Sequence, residues 1–401
     1  MRILFCNYEY PPLGGGGGVI NALIAQEMAK HHEVTVLTSQ GLGLPRENIE
    51  SGVRVVRAPV FFRKQESVAT LRSMLAYIPM GIRAGHELIK ANHYDVINTY
   101  FVLPTGPVGN ALSNSGGIPN VLTLLGGDIY DPSKFLSPHR HPVLRAAVRH
   151  LLRKADIVVG DSNDTIEKMQ RYHSPETKGV WIPLGIQRPK VEPASRKRYG
   201  FEEDEVLLVT VGRLVPRKGI DQLISMMESF KGQRVHLLVI GAGPEENSLR
   251  QEALKRQLDS QVHFMGYVEE NEKFRILKMS DLYVSTSQHE GFGLVFLEGM
   301  ACGLPVVCYD HGGHTDFLRD QETGYIVRLN DLELFKARCQ LLIENSDLRK
   351  AIGEKNKRHV EEFYIDKCAL RYESIFREAV AIHANKHSVG QRVWSMQKRA
   401  A

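Results

Sequence analysis

Short apolar runs rich in β-branched residues alternate along the chain with longer amphipathic stretches. That alternation is the mark of β-α-β units, whose parallel strands are buried on both faces between helices. In the first half the runs predict strands at residues 2–7, 34–38, 53–57, 96–98, 120–124, 157–160 and 180–182. Residues 187–205 then break the rhythm with Pro189, Pro193 and the basic run Arg196-Lys197-Arg198, and read as a linker carrying a short helix. After it the alternation restarts, with strands predicted at 206–211, 235–240, 262–264, 282–286, 305–308 and 324–326. The polar, helical stretch from 331 to 384 is too long for one crossover, so its end is expected to pack back on the first domain, with 385–401 as a frayed tail.

The expected fold is therefore α/β, with two doubly wound domains at 1–188 and 189–370 and a returning C-terminal segment at 371–401. Ligands bind outside the carboxyl ends of the strands in such sheets. The site is accordingly expected in a crevice between the two domains.

Composition narrows the class without changing that picture. The 401 residues are 43% hydrophobic and 24% charged, as in soluble globular proteins, and no run approaches the roughly 20 apolar residues of a membrane span. The N-terminus enters an apolar strand directly, without a charged leader, so export is not expected and the cytoplasm is. Five cysteines without C-x-x-C spacing suggest reduced thiols rather than a disulfide framework or a zinc site. The net charge of +5 arises mostly in residues 1–185, which hold 19 Lys and Arg against 15 Asp and Glu. Within them Arg145, Arg149 and Arg153 fall on one helix face, open either to solvent or to an anionic lipid or phosphorylated acceptor at the inner membrane surface. No zinc-finger spacing or RNP-like run points to nucleic acid.

The segment 280–298 carries the most chemistry. A strand ends near Thr286, a loop holds Glu290, Gly291 and Gly293, and a helix begins near Leu294. Glycines let backbone amides approach a ligand, and the helix N-terminus favours a diphosphate. Glu298, in the second turn, can accept from ribose hydroxyls if that turn faces the crevice; otherwise it decorates a helix face. A second constellation, Gly212-Arg213-Leu214-Val215-Pro216-Arg217-Lys218-Gly219, ends the first strand of the second domain. Arg213 and Lys218 there can converge on one diphosphate and stabilise it as it departs.

The stretch from Glu290 to Glu298, continued by Gly-Met-Ala-Cys-Gly-Leu-Pro-Val-Val, resembles the E-x7-E signature of glycosyltransferase family 4, and the Arg213 segment resembles that family's G-R-L-x-x-x-K-G. The resemblance implies a GT-B fold and a retaining transfer of a hexose-type sugar from a UDP- or GDP-sugar to a glycan, lipid-linked or small-molecule acceptor. It places Glu290, Phe292, Gly293 and Leu294 at the donor sugar and phosphates, Glu298 at the ribose, and Arg213 and Lys218 at the diphosphate. No D-x-D sequence occurs, so neither a metal nor another cofactor is expected, the cations replacing a metal's role.

The N-terminal Pro11-Pro12-Leu13 followed by Gly14 to Gly18 lies between a strand and a helix, but no acidic residue ends the second strand, which argues against NAD. In the resembled family this loop faces the donor phosphates and the acceptor, which implicates Gly15, Gly16 and Gly17. Many members carry histidine where this chain has Leu125, which leaves Asp128 as the polar contact there or, alternatively, as a local cap. Ser162 and His314 are further candidates. Other GT-B reactions, epimerisation or phosphorolysis, and a non-catalytic sugar-nucleotide sensor stand as the alternatives.

Overall fold

A computed structural model describes residues 1–41, 43–60, 70–132 and 135–400, with side chains described as far as Lys386. The chain divides into two compact units: Met1–Gly185 together with Ile365–Ala401, and Ile186–Tyr364. The return to the first unit thus comes at Ile365 rather than near 371, directly after a 3-10 turn at Val360–Phe363 ends the preceding helix.

In the first unit the strands are β1 (Arg2–Asn7), β2 (Glu33–Ser39), β3 (Glu47–Glu50), β4 (Val53–Ala58), β5 (Val96–Tyr100), β6 (Asn120–Leu124), β7 (Ile157–Gly160) and β8 (Gly179–Trp181). They form one sheet in the order β3-β4-β2-β1-β5-β6-β7-β8, parallel except for β3. Its helices are α1 (Gly16–Met28), α2 (Leu71–Ala91), α3 (Gly106–Gly116), α4 (Pro142–Lys154) and α5 (Asn163–Tyr172). The central strands are apolar on both faces because both faces are covered: Ile3, Leu4, Phe5 and Cys6 of β1 are all fully buried.

The second unit holds β9 (Val206–Val211), β10 (Val235–Ile240), β11 (Val262–Gly266), β12 (Leu282–Ser285), β13 (Val306–Tyr309) and β14 (Gly324–Val327). These make a wholly parallel sheet in the order β11-β10-β9-β12-β13-β14. Its helices are α6 (Ile220–Met227), α7 (Glu246–Lys255), α8 (Glu270–Met279), α9 (Leu294–Ala301), α10 (Leu332–Glu344) and α11 (Ser346–His359). Strand order changes direction at β9, with β10 on one side and β12 on the other. The loops after β9 and β12 therefore open at a switch point, where an open α/β sheet leaves room for a ligand.

The last helix, α12 (Ile365–Ala400), belongs to the first unit. Cys368, Tyr372, Phe376 and Ala379 recur at helical spacing and are fully buried. Phe376 meets Phe5 edge-on at 6.1 Å, and Tyr372 stacks on Tyr100 at 6.2 Å. Where the sequence suggests a frayed tail, the backbone stays helical to Ala400, a stretch that contains no proline. Among the described residues no helix is long and apolar enough to cross a membrane. All five cysteines are free thiols, and four of them are buried.

Candidate active site

In the second unit three loops at the carboxyl edge of the sheet are locked together by backbone contacts. The Arg213 loop meets the loop after β12 where Gln288 N–H donates to the Arg217 carbonyl at 2.8 Å and Thr286 Oγ1 donates to the Gly219 carbonyl at 2.7 Å. Gly219 has a φ of +60°, and a Cβ there would lie 2.4 Å from the Thr286 carbonyl oxygen, so glycine is required on both counts. The loop after β12 in turn pairs with the loop after β13: Gly313 N–H donates to the Glu290 carbonyl at 2.9 Å, and Glu290 N–H donates to the His311 carbonyl at 3.3 Å. Gly312 sits at φ +128° with space for a Cβ only 2.1 Å from the Glu290 oxygen.

This frame places Glu290 where two cations reach it. The carboxylate is nearly buried and hydrogen-bonded by the Lys218 ammonium, while Arg217 Nη1 lies 3.6 Å from its other oxygen. Arg217 is itself held by donating to the His289 carbonyl at 2.7 Å. Burial alone would raise the Glu290 carboxyl, but Lys218 and then Arg217 outweigh it and hold it down at about 2. Glu290 is therefore an anion throughout the physiological range.

The arrangement separates the two expected diphosphate cations. Lys218 is committed to Glu290, whereas Arg213 is exposed on the loop after β9. Arg217 takes the second place beside Glu290. Sequence reasoning passed over it although it stands inside the quoted motif, because nothing local distinguishes it from a solvated arginine.

Past Glu290 the chain enters α9, with Gly293 as its N-cap at φ +90°. Phe292 is buried and its ring packs 5.0 Å from that of Phe317, so its side chain is core and only its backbone can meet a ligand. Leu294 opens the helix, whose first amides have no intrahelical acceptor. One turn further, Glu298 is buried, with Oε1 2.8 Å from Lys273 Nζ of α8. Burial pushes the Glu298 carboxyl up, and Lys273 opposes that shift. Lys273 lies 25 positions before Glu298 with no shared motif, so only the fold reveals the pair. His314, buried beneath the loop, hydrogen-bonds through Nε2 to the Tyr309 carbonyl at 2.6 Å and stacks on Phe296 at 4.8 Å, which fits a packing role.

The other candidates lie in the first unit. Gly15 is the N-cap of α1 and Gly16 its first residue; a Cβ at either would meet nothing within 4 Å. A Cβ at Gly17 would stand 2.5 Å from the Phe101 ring and 2.8 Å from Leu125 Cδ1, so the residue replacing the usual histidine lies against the glycine loop. The Gly15 amide donates to Glu9 Oε2 at 3.0 Å, which puts a carboxylate at the positive end of α1. Asp128 uses both oxygens on backbone amides, accepting from Val102 at 2.8 Å and from Leu125 at 3.2 Å. It clasps the loops after β5 and β6 together. Ser162 caps α5 by accepting from the Thr165 amide at 3.0 Å. Arg145 and Arg149 donate to the carbonyls of Tyr172 and His173 at the end of α5, at 2.9 and 2.6 Å, and Arg153 pairs with Glu176 at 2.7 Å. The arginine face thus closes a helix C-terminus, where cations and donors are favoured.

Comparison with known proteins accounts for this architecture. A family model for glycosyl transferases group 1 matches residues 191–359, and one for Glycosyltransferase Family 4 matches residues 14–188. The chain is 25% identical over 386 residues to N-acetyl-alpha-D-glucosaminyl L-malate synthase of Bacillus anthracis, an alignment covering 92% of this chain and 96% of that one. Among solved structures it superposes on sucrose-phosphate synthase of Thermosynechococcus elongatus with a TM-score of 0.81 at 22% identity, covering 95% of this chain and 99% of that one. HepE of Anabaena in complex with UDP gives a TM-score of 0.74 at 19% identity, covering 94% and 100%. With two doubly wound parallel sheets and family matches over both, this chain belongs to glycosyltransferase family 4 and is a glycosyltransferase of the GT-B fold.

Proposed function

We propose that this glycosyltransferase moves a hexose-type sugar from a UDP- or GDP-sugar to an acceptor hydroxyl with retention of anomeric configuration. The observation that carries the reading is Glu290, held as an anion by Lys218 and Arg217 on the loop that runs into the N-terminus of α9. The helix start after Gly293, with Arg213 on the neighbouring loop, supplies the positive field for a diphosphate. Glu298 takes the ribose and Glu290 the donor sugar. The UDP in the HepE complex and the sugar conjugates in the relatives' names, a glucosaminyl L-malate and a sucrose phosphate, support this reading of donor and acceptor.

In the step itself the bond from C1 to the β-phosphate oxygen breaks, and the nucleoside diphosphate leaves with the electron pair. The acceptor oxygen forms its bond to C1 on the same face, and its proton passes to the departing phosphate oxygen. Leu125 offers no base, so this route needs none from that position. Within the first unit, Gly15, Gly16 and Gly17 serve the acceptor side, with Asp128 holding the adjoining loops. No metal is required in this reading, since Arg213 and the helix start after Gly293 supply the compensating charge.

The reaction is assigned to the cytosolic side, in keeping with free, mostly buried thiols. Where the acceptor is lipid-linked, the first unit rests on the anionic surface through the exposed Phe135, Leu136 and Val143, with Arg140 and Lys154 exposed on the same stretch of chain. Co-sedimentation with phosphatidylglycerol but not phosphatidylcholine vesicles is the expected result; equal recovery with both removes the membrane from the proposal.

The deciding experiment is binding and slow hydrolysis of UDP-, GDP- and ADP-sugars, with Arg213→Ala as control. One donor that binds, is cleaved, and loses both in the variant supports the reading. Absence of binding by all of them, an inverted product linkage by proton NMR, or catalysis abolished by EDTA and restored by a divalent ion refutes the corresponding part.

A further inference from the structure

Glu298 is buried in the second turn of α9, and its two oxygens are in different circumstances. Oε1 is 2.8 Å from Lys273 Nζ. Oε2 is buried and has no hydrogen-bond partner among the described residues. A buried carboxylate oxygen without a donor is costly, and the fold gains nothing from it unless a ligand hydroxyl arrives there. Lys273 is equally unusual. Its side chain is only 12% exposed, its ammonium lies 4.8 Å from the Phe274 ring centroid, and it also donates to Glu270 Oε2 at 2.9 Å. Glu270 is mostly exposed, so water can serve it. Glu298 has no such recourse, and Lys273 is its counterion.

Resting on the donor-site reading above, we infer that Lys273 is a positioning residue that keeps Glu298 ionised and turned so that Oε2 faces the vicinal hydroxyls of the donor ribose. One oxygen is taken by the lysine from α8, and the other is left to accept from the ligand. An ionised acceptor bonds a hydroxyl more strongly than a neutral one. A glutamate without this lysine would either protonate in its buried setting or swing toward solvent, and both changes remove the acceptor. The family resemblance points to Glu298 alone; the lysine comes from another helix, outside the motif.

The test uses the full chain and isothermal titration with UDP, GDP and ADP, followed by the 2′,3′-dideoxy form of whichever nucleotide binds. Wild type is expected to prefer the ribonucleotide by about tenfold or more, the scale of one hydrogen bond to a charged group. Lys273→Met should lose that preference by weakening the ribonucleotide alone, with dideoxynucleotide affinity unchanged, and Lys273→Arg should restore part of it. A general loosening of the site would weaken both ligands equally, and that result overturns the inference, as does a Lys273→Met protein that discriminates like wild type. Because Lys273→Met leaves a buried charge unpaired, the same substitution is also made in a Glu298→Gln background, where no charge remains. There it should have no further effect on ribonucleotide binding; a further loss overturns the inference. A wild type that binds none of the three nucleotides overturns the donor-site reading and this inference with it.

Discussion

The Lys218 ammonium is hydrogen-bonded to the Glu290 carboxylate across 72 residues of sequence, joining the loop after β9 to the loop after β12. Both side chains are largely withdrawn from water, at 12% and 8% exposure. Removing one partner of such a pair leaves an uncompensated buried charge, which costs about 3–5 kcal/mol when nothing replaces it. Arg217 at 3.6 Å softens that loss. Lys218→Met is therefore expected to destabilise the second unit by about 2–3 kcal/mol, and Glu290→Gln by at least as much, since it strands Lys218 and takes the anion from Arg217 as well. Urea denaturation of both variants checks the order; a Glu290→Gln protein clearly more stable than Lys218→Met contradicts it.

Gly312→Ala tests the frame rather than the chemistry. The new Cβ would lie 2.1 Å from the Glu290 carbonyl oxygen at a φ of +128°, so the loop after β13 must move away and release Glu290. Donor turnover should fall at least about a hundredfold, the scale on which small misplacements act, while circular dichroism stays that of wild type. Retained turnover would show that the 290–312 pairing does not hold the site.

Asp128→Asn keeps the shape but leaves one oxygen where there were two. One of the amides of Val102 and Leu125 must then face an NH2 group. The first unit should lose about 1–3 kcal/mol, the usual cost of an unsatisfied buried donor. Its thermal midpoint gives the measurement, and an unshifted midpoint removes the clasp from the account.

Acid should weaken the second unit through His263. Its Nε2 is 3.1 Å from His236 Nδ1, and His236 Nε2 lies 3.4 Å from Glu205. Burial, then the neighbouring His236, depress the His263 pKa from the ordinary 6.5 to about 4. Between those values the unfolded chain takes up a proton that the folded ring refuses. Stability is therefore full above pH 6.5 and declines as the pH falls toward 4. The thermal midpoint of the second unit should drop over that window, and His263→Phe should flatten the drop; an equally steep decline in the variant excludes His263 as its source.

Asp161 sends the first unit the other way. Burial, opposed by its hydrogen bond from Thr165 Oγ1 at 2.6 Å, raises its carboxyl from 3.8 to about 7. The protonated form suits the fold, so stability is full below pH 3.8 and is lost as the pH rises through 7. Asp161→Asn should be more stable relative to wild type at pH 8 than at pH 5, as read from urea midpoints. A difference independent of pH refutes this.

Much of the fold was legible because parallel strands buried on both faces have to be apolar throughout. Residues 2–7, 120–124, 157–160, 206–211 and 235–240 read from the sequence coincide with β1, β6, β7, β9 and β10. Strand β3 was not legible: Glu47-Asn48-Ile49-Glu50 has no apolar run, and Ile49 is 77% exposed on the only antiparallel pairing of its sheet among the described residues. Edge strands bury little, so they leave little trace in hydrophobicity. The end of β5 was misread by two residues, because Thr99 interrupts the apolar run with a polar side chain that the fold buries.

By itself the sequence determined the two doubly wound units and the motif residues Glu290, Glu298, Arg213 and Lys218, because periodicity and glycine placement are local properties of the chain. Tertiary structure alone decided which charges meet. It set Lys218 and Arg217 on Glu290, Lys273 on Glu298, and Arg145 and Arg149 on the end of α5. The reason is physical: electrostatic partnership depends on distance and burial, and residues 24 to 73 positions apart acquire both only when the sheet brings their loops and helices side by side.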